Sequence, residues 1–297
     1  MEKIIDLHIH TNCSDGQLSP MEVIDKAVDN NVSVISIADH DTIDAYSDEL
    51  FEYAKEKGIR IIPGVEISTK IKKCGIHVLG YCYDFNNKEF LDRLDSLRNA
   101  RHNYLYDVAK KLEELGYVVH TDELDKIEAV TKAHISLDVI SNSDNCELLM
   151  REFEHIPNKG EFIETVMNEG CPAYVEKDTI TPRDAAILIH NAGGKVVLAH
   201  PVAYKYEDGL DDNDISELVS DMKADGLEAN YIYIDRNNNK INEINHWNRF
   251  AKAHQLPVTI GSDFHKEDGI HPTIGLLGED ISLTDDDISS ILVWLSE

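Results

Sequence analysis

Nine histidine and acidic side chains stand out because they occur in short motifs where apolar, strand-like runs of sequence end. The motifs are DLHIH, CSDG, IADHD, GVE, GIHVLGY, LAHP and GSDFH, and the candidate metal ligands in them are His8, His10, Asp15, His40, Glu66, His77, His200, Asp263 and His265. Side chains alternate along a β-strand, so the two ligands of an H-x-H or D-x-H motif point to the same side. Six imidazoles and three carboxylates delivered in this way predict a hydrolytic centre with several metal ions.

The types of these ligands restrict the metal and the reaction. Imidazole and carboxylate without thiolate suit Mn²⁺, Fe or Zn²⁺, and we expect Mn²⁺ first. Nine ligands are too many for one ion, but they fit two or three divalent ions that share a bridging carboxylate. Such a centre generates hydroxide at neutral pH and stabilises a leaving oxygen, which is the chemistry of phosphoester hydrolysis. The sequence has no G-x-S-x-G, phosphate-loop, G-x-G-x-x-G or H-E-x-x-H motif that would favour another mechanism.

Isolated histidines are more often structural than metal-binding, and the chain has 14 of them. The alternative that all are structural is disfavoured because His8, His10, His40, His200 and His265 directly follow apolar runs and lie beside Asp or Pro. Histidines distributed by chance would also occur in the predicted helices.

Composition predicts a folded cytoplasmic protein. The 297 residues contain 42% hydrophobic residues, enough for a buried core, but no apolar run long enough for a membrane helix. Five cysteines, an odd number without a C-x-x-C pair, are typical of reduced thiols. The net charge of −28 makes long duplex nucleic acid an improbable ligand, because such binding usually needs a basic surface.

The elements that would position the ligands alternate between strand and helix. Apolar runs at 4–10 and 32–39, a helix opened by Ser19-Pro20, and further strand and helix units after residue 180 predict a parallel sheet. Ligands from the carboxyl ends of most strands can meet if that sheet closes into a barrel. The pattern between is helical, so we predict a barrel over 1–90 and 166–297, with an inserted helical substrate-recognition subdomain over 91–165.

The motifs DLHIHTNCSDG, ADHDT, PGVE, AHP and GSDFH together closely resemble those of the PHP (polymerase and histidinol phosphatase) superfamily of metal-dependent phosphoesterases. The resemblance implies an α/β fold, a distorted (β/α)7 barrel with an inserted small helical subdomain. It also implies a trinuclear metal centre. One ion would be held by His8, His10, Glu66 and Asp263; a second, bridged by Glu66, by His77 and His200; and the third by Asp15, His40 and His265.

Within the superfamily, the chain resembles a branch of nucleoside 3′,5′-bisphosphate phosphatases and 5′→3′ exonucleases of short oligoribonucleotides. The resemblance implies that Arg98, Arg101, Lys132 and His134 bind a substrate phosphate. Lys132 departs from the usual arginine, which grips phosphate through two parallel hydrogen bonds. The alternative for the arginines is an exposed helix face paired with Asp95 or glutamates.

We therefore predict a metal-dependent phosphoesterase in which a metal-bound hydroxide attacks a phosphate ester of a small nucleotide or a 5′-phosphorylated short oligonucleotide. Glu66, His200 and Asp263 are the candidate catalytic residues. The alternatives are a histidinol-phosphate phosphatase and a non-catalytic metal-binding accessory module. The oligomeric state and the general acid stay open.

Overall fold

The computed structural model describes residues 4–127, 130–176, 179–235, 237–276 and 284–296. The chain divides into two compact units, one formed by Met1–Leu94 with Ile180–Glu297 and the other by Asp95–Thr179.

The first unit contains the strands, which form two main sheets and a small hairpin. In chain order they are β1 Ile4–Ile9, β2 Val32–Ile37, β3 Arg60–Ile61, β4 Gly64–Ile71, β5 Cys74–Tyr81, β6 Lys195–Leu198, β7 Gly226–Asn230, β8 Tyr233–Ile234, β9 Lys240–Ile241 and β10 Val258–Ile260. The sheet orders are β1-β2-β3, β10-β7-β6-β5-β4 and β8-β9.

The described part of the chain contains twelve α-helices. They are α1 Pro20–Asp29, α2 Asp48–Lys57, α3 Lys88–Glu114, α4 Thr121–Leu124, α5 Lys132–Ser141, α6 Cys146–Phe153, α7 Lys159–Phe162, α8 Pro182–Asn191, α9 Pro201–Glu207, α10 Asp212–Met222, α11 Ile244–Ala253 and α12 Asp285–Trp294. None of the described helices is both long and apolar enough to cross a membrane.

The sheets are mixed rather than wholly parallel, which corrects the sequence prediction. Strands β1, β2 and β3 are parallel, as are β6, β7 and β10. Strand β5 runs antiparallel to both β4 and β6. The reason is the connection between β4 and β5, which consists of Lys72 and Lys73 alone, and a two-residue link can join only antiparallel strands.

The described strands do not form a closed barrel through continuous ladders. Isolated parallel bridges join the two main sheets instead, one between Ile9 and Phe264 and one between His40 and Glu66. The backbone hydrogen bonds there include Asp263 N–H to the His8 carbonyl at 2.8 Å. The fold is therefore a mixed α/β architecture, and its two sheets meet where the predicted ligands lie.

The core of the first unit follows from the apolar strand runs. Ile9, Ile35 and Ile37 are fully buried with Val23 and Ile24 of α1. Helix α1 has the predicted start, because Ser19 and Glu22 form a reciprocal capping box and Pro20 begins the helix. A rigid sheet and helix layer thus supports the strand ends.

The second unit is helical and has its own apolar core, in which Leu105, Leu112, Ile135 and Leu149 are fully buried. Its span, Asp95–Thr179, differs from the predicted insertion at 91–165. Residues after 165 belong to this unit since Val166, Met167 and Ala173 are buried in the same core.

Candidate metal centre

The carboxylate of Glu66 lies at the centre of a cluster of five imidazoles. Its Oε2 atom is 3.2 Å from a ring nitrogen of each of three histidines, namely His8, His10 and His40. Its Oε1 atom is 3.0 Å from His77 Nδ1 and 3.1 Å from His200 Nε2. Glu66 lies inside β4 and His77 inside β5, not at the strand ends where the sequence placed them. Glu66 and His77 approach each other because the β4–β5 hairpin pairs His77 with Ser68, and Ser68 lies two residues after Glu66.

Three groups within the cluster have ligand atoms that all lie within 4.8 Å of one another. The first group is His8, His10, Glu66 and Asp263; the second is His10, Asp15, His40 and His265; the third is His40, Glu66 and His77. His200 approaches Glu66 as described above. The structure therefore brings all nine predicted ligands to one place, with His10, His40 and Glu66 shared between groups.

Strand β1 supplies the first group with two imidazoles that face each other. His8 lies in β1 and His10 directly follows it, so alternation places both rings on one side. Their Nε2 atoms are 3.1 Å apart, and His10 Nε2 is 3.1 Å from Asp263 Oδ1. Two nitrogens that each lie about 2.1 Å from one ion, roughly at a right angle, are separated by about 3 Å. The spacing of the two rings therefore fits shared coordination of one cation.

A tight loop carries Asp15 into the second group. The Asp15 Oδ1 atom is 3.3 Å from His265 Nε2 and 3.6 Å from His10 Nδ1. Gly16 is required after it, because a Cβ there would lie 2.4 Å from the His10 carbonyl oxygen. The motif S-D-G thus has a steric cause as well as a chemical one.

The carboxylate of Asp39 holds this loop in place. It accepts hydrogen bonds from the Thr11 N–H at 2.7 Å, the Thr11 hydroxyl at 2.6 Å and the Ser14 hydroxyl at 2.6 Å. Asp39 is therefore a support for the loop that presents Asp15.

Several buried donor and acceptor atoms in the cluster lack a hydrogen-bond partner among the described residues. They are His10 Nδ1, Glu66 Oε2 and His200 Nδ1. Leaving such atoms unpaired is costly, so each one needs an explanation. Such converging atoms are suited to bind a cation, and the residues present fit divalent metal ions.

Burial and charge together shift the pKa values of these groups. Burial alone would lower the pKa of His10, but the adjacent carboxylates of Asp263 and Glu66 raise it to about 10. Burial alone would raise the pKa of Asp15, but the charges of His40 and His10 and a hydrogen bond with His265 hold it well below its usual value. Burial lowers the pKa of His40 well below its usual value. Protons and cations therefore compete for the same cluster.

One side of the cluster is open to solvent. The side chains of His8 and His10 are fully buried, whereas those of His77 and His265 are 33% and 34% exposed. A ligand therefore reaches the cluster from the side of His77 and His265.

Two of the predicted ligands are held in an unusual backbone conformation. His200 has φ 23° and Asp263 has φ 53°, values that side chains other than glycine rarely adopt. Backbone strain of this kind persists where surrounding contacts enforce it, and it occurs preferentially at functional sites.

Comparison with known proteins agrees with this geometry. The model of the PHP domain family matches residues 6–183, more than half of the chain.

The chain belongs to the PHP family.

Two PHP relatives are similar over nearly the whole chain. A 5'-3' exoribonuclease of Haemophilus influenzae is 32% identical over 99% of this chain and 99% of its own. A 3',5'-nucleoside bisphosphate phosphatase of Chromobacterium violaceum is 27% identical over 95% of this chain and 92% of its own. The family prediction is confirmed, and the protein is a metal-dependent phosphoesterase.

A solved structure has a similar fold. The metal-dependent phosphoesterase of Bifidobacterium adolescentis superposes with a TM-score of 0.72, covering 98% of this chain and 96% of its own, at 23% identity. This similarity concerns the fold alone.

The predicted arginine pair of this PHP protein lies on α3 in the second unit. Arg98 forms an ion pair with Asp95, with its guanidinium nitrogen 2.8 Å from the carboxylate, as the alternative interpretation of the sequence expected. The side chain of Arg101 lies outside the described part of the structure.

The other two predicted phosphate ligands lie at the start of α5. Lys132 donates to the Asn168 side chain at 3.0 Å, and its ammonium lies 5.9 Å from the centre of the Tyr174 ring. His134 Nδ1 accepts from the Thr131 N–H at 3.2 Å and completes a capping box. Both residues thus have local structural partners.

The sequence interpretation missed Glu228, which is fully buried in β7. Its carboxylate lies 3.0 Å from His8 Nδ1 and accepts from the His200 N–H at 2.9 Å. The available signal was an acidic residue inside the strand sequence GLEAN, where a parallel strand is expected to be apolar.

Proposed function

We propose that this PHP phosphoesterase hydrolyses a phosphate ester of a small nucleotide, either a nucleoside 3′,5′-bisphosphate or a 5′-phosphorylated short oligonucleotide. The observation that carries the proposal is the Glu66-centred ligand cluster in a chain that aligns end to end with relatives named for these two activities. The net charge of −28 supports a small substrate, because it repels long polyanions.

The nine ligands would hold two or three divalent cations, Mn²⁺ first, with Fe or Zn²⁺ as alternatives. Glu66 is suited to bridge two ions, since each of its oxygens faces a different set of imidazoles. When bound, the cations would acidify a water molecule and offset the negative charge that develops on the phosphate.

The protein's own residues would bind and orient the reactants. Glu66, His200 and Asp263 are the residues that we propose as essential, because they connect the first group to the remaining histidines. The half-exposed rings of His77 and His265 border the open side, where the phosphate would enter. No side chain needs to act as a nucleophile.

We also propose that Arg98, Arg101, Lys132 and His134 bind a second phosphate of the substrate. Their type supports this role, because guanidinium, ammonium and imidazolium groups form charge-assisted hydrogen bonds with phosphate oxygens. The local partners of Arg98, Lys132 and His134 would then exchange with the substrate on binding.

The strands support a distorted seven-stranded barrel as the underlying architecture. What supports it is that the two isolated bridges link the β1-β2-β3 sheet to the β4 edge and the β10 edge of the five-stranded sheet. A cytoplasmic location is part of the proposal and is supported by the five cysteines, which form no disulfide among the described residues.

The test is a substrate panel with purified protein and added Mn²⁺. We expect phosphate release from 3′-phosphoadenosine 5′-phosphate or stepwise mononucleotide release from a 5′-phosphorylated short RNA. Product sizes distinguish these two activities. Hydrolysis of histidinol phosphate with neither nucleotide substrate accepted would replace the proposal with that alternative. No metal-dependent release of p-nitrophenol from p-nitrophenyl phosphate or its bis ester would support the non-catalytic alternative.

A further inference from the structure

Glu228 connects three strands of the first unit at the candidate metal centre. It lies in β7, and its carboxylate oxygens are 3.0 and 3.2 Å from the Nδ1 atom of His8, which lies in β1. Its Oε2 atom also accepts from the N–H of His200, which follows β6, at 2.9 Å. Glu228 and His8 are both 0% exposed, so solvent cannot replace either contact.

The contact with His8 fixes which nitrogen of that ring carries the proton. An ionised carboxylate only accepts hydrogen bonds, so His8 Nδ1 is the donor. The Nε2 lone pair of His8 is then directed toward Glu66 and Asp263, whose oxygens lie 3.2 and 3.5 Å from it. Carboxylates that accept from the second nitrogen of a metal-binding histidine hold both the tautomer and the ring orientation.

The contact with His200 supports a strained backbone. His200 has φ 23°, and its N–H points at the Glu228 carboxylate. Without this acceptor a buried N–H would be unpaired in a conformation that is already unfavourable. The Glu228 carboxylate thus holds both the side chain of His8 and the backbone of His200.

The packing around this carboxylate leaves no spare room. A Cβ placed on Gly261 would lie 2.3 Å from His8 Cβ and 2.4 Å from Glu228 Oε1. Gly261 follows β10 directly, so the fourth neighbouring strand is shaped to accommodate the Glu228–His8 pair.

We propose that Glu228 is a positioning residue, whose carboxylate holds both His8 and His200 in place for cation binding. This inference rests on the proposed metal-dependent function. It adds a tenth residue on which the centre depends, one that contacts two ligands and is not itself in any of the three ligand groups.

The test is the affinity of the protein for Mn²⁺, measured by titration calorimetry on metal-free protein, in wild type and Glu228→Gln. In a glutamine side chain an NH₂ group replaces one of the two carboxylate oxygens, so a donor then faces either His8 Nδ1 or the His200 N–H. We expect the affinity to fall by about 10- to 100-fold, with hydrolysis recovering at high Mn²⁺ concentration.

Asp225→Asn is the matched control. Asp225 precedes β7 and likewise accepts from an imidazole, His190 Nε2 at 2.8 Å, and from a backbone N–H, that of Val196 at 2.8 Å. His190 is in none of the ligand groups, so this variant should bind Mn²⁺ like wild type. Thermal melts of the metal-free variants measure the loss of stability separately.

Reduced Mn²⁺ affinity in Glu228→Gln, beside normal affinity in Asp225→Asn, supports the inference. Unchanged affinity in Glu228→Gln, or an equal loss in both variants, overturns it. If Glu228→Gln does not fold, Glu228→Asp is used with the same criteria, because its shorter carboxylate reaches only one of the two donors. Absence of Mn²⁺ binding by wild type would refute the proposed function itself, whatever the variants show.

Discussion

The two units of the chain present their polar groups in opposite ways. In the first unit, buried imidazoles and carboxylates from distant parts of the sequence converge on Glu66. In the second, Arg98 and His134 lie on helices and contact neighbours close in sequence, Asp95 and Thr131 respectively.

This difference indicates a division of tasks. Buried ligand atoms such as His10 Nδ1 have no hydrogen-bond partner in the described residues, so that cluster is arranged for something the protein chain does not supply. Contacts such as Arg98–Asp95 are exposed pairs, which contribute little stability and exchange easily. The first unit is suited to hold cations rigidly, and the second to exchange partners on its surface.

Removal of metal from the first unit should have the largest effect on activity. We expect a chelator to abolish phosphoester hydrolysis, because the cluster then contains only protons and ionised side chains, and added Mn²⁺ to restore it. Elemental analysis and a p-nitrophenyl phosphate assay measure both states. Full activity in protein shown to be free of metal would contradict the assignment of metal-dependent catalysis to the first unit.

Substitution of one ligand should be nearly as severe. Asp263→Asn removes a charge 3.1 Å from His10 Nε2. Substituting a residue that only supports a metal ligand typically costs about 10- to 100-fold, and we expect the fall in kcat here to be larger. Circular dichroism should show the fold retained. The control is Asp212→Asn, an exposed acid on α10 that pairs with His246. Near-normal rates in Asp263→Asn would contradict the site.

Substitutions in the second unit should affect only substrates with a second phosphate. Loss of a hydrogen bond to a charged group costs about 1.5–3 kcal/mol, so Lys132→Ala should lower kcat/KM for a nucleoside bisphosphate by roughly 10- to 100-fold. The rate with p-nitrophenyl phosphate should not change. Lys126→Ala, which removes an exposed lysine paired with Glu123, is the control. Equal losses on both substrates would assign Lys132 to stability instead.

The pH dependence of Mn²⁺ affinity sharpens the description of the first unit. The pKa of His10 is raised to about 10, so at pH 7 the metal-free protein holds a proton there that a cation must displace. Affinity should therefore rise with pH, by up to about tenfold per pH unit for each proton released. Calorimetry in two buffers of different ionisation enthalpy counts the protons, and binding without proton release would contradict this.

The raised pKa of His10 also predicts how the stability of the metal-free protein changes with pH. The pKa of His10 is raised above its unfolded value of about 6.5, so its contribution to stability is complete below pH 6.5 and is lost as the pH rises towards about 10. Denaturant titrations of metal-free protein between these pH values measure the loss.

The smallest expected effect concerns His134. His134→Ala removes the side chain that accepts from the Thr131 N–H and should lower the free energy of unfolding by about 0.5 kcal/mol, the lower end for a lost helix cap. His134→Gln retains an acceptor for the capping box and should leave the free energy of unfolding unchanged. If both variants lower kcat/KM for a bisphosphate equally, the imidazole binds phosphate; if only His134→Ala does, its role is the cap. Urea denaturation and kinetics separate the two.

The local chemistry was readable from the sequence because it depends on spacing of one or two residues. Alternation along β1 puts His8 and His10 on one side whatever the rest of the fold does, and Ser19-Pro20 begins α1 by capping alone. The PHP family, the α/β class and the phosphoesterase activity were predictable for the same reason, since the motifs are contiguous.

Only the tertiary structure decided how distant segments meet. The antiparallel course of β5, the place of Glu66 and His77 inside strands, and the role of Asp39 in holding the Asp15 loop depend on strand register and loop packing. Glu228 has no motif of its own, because its partners, His8 and His200, lie 220 and 28 residues away along the chain. Hydrogen bonds between segments so far apart in sequence are fixed by three-dimensional packing, and spacing along the chain carries no record of them.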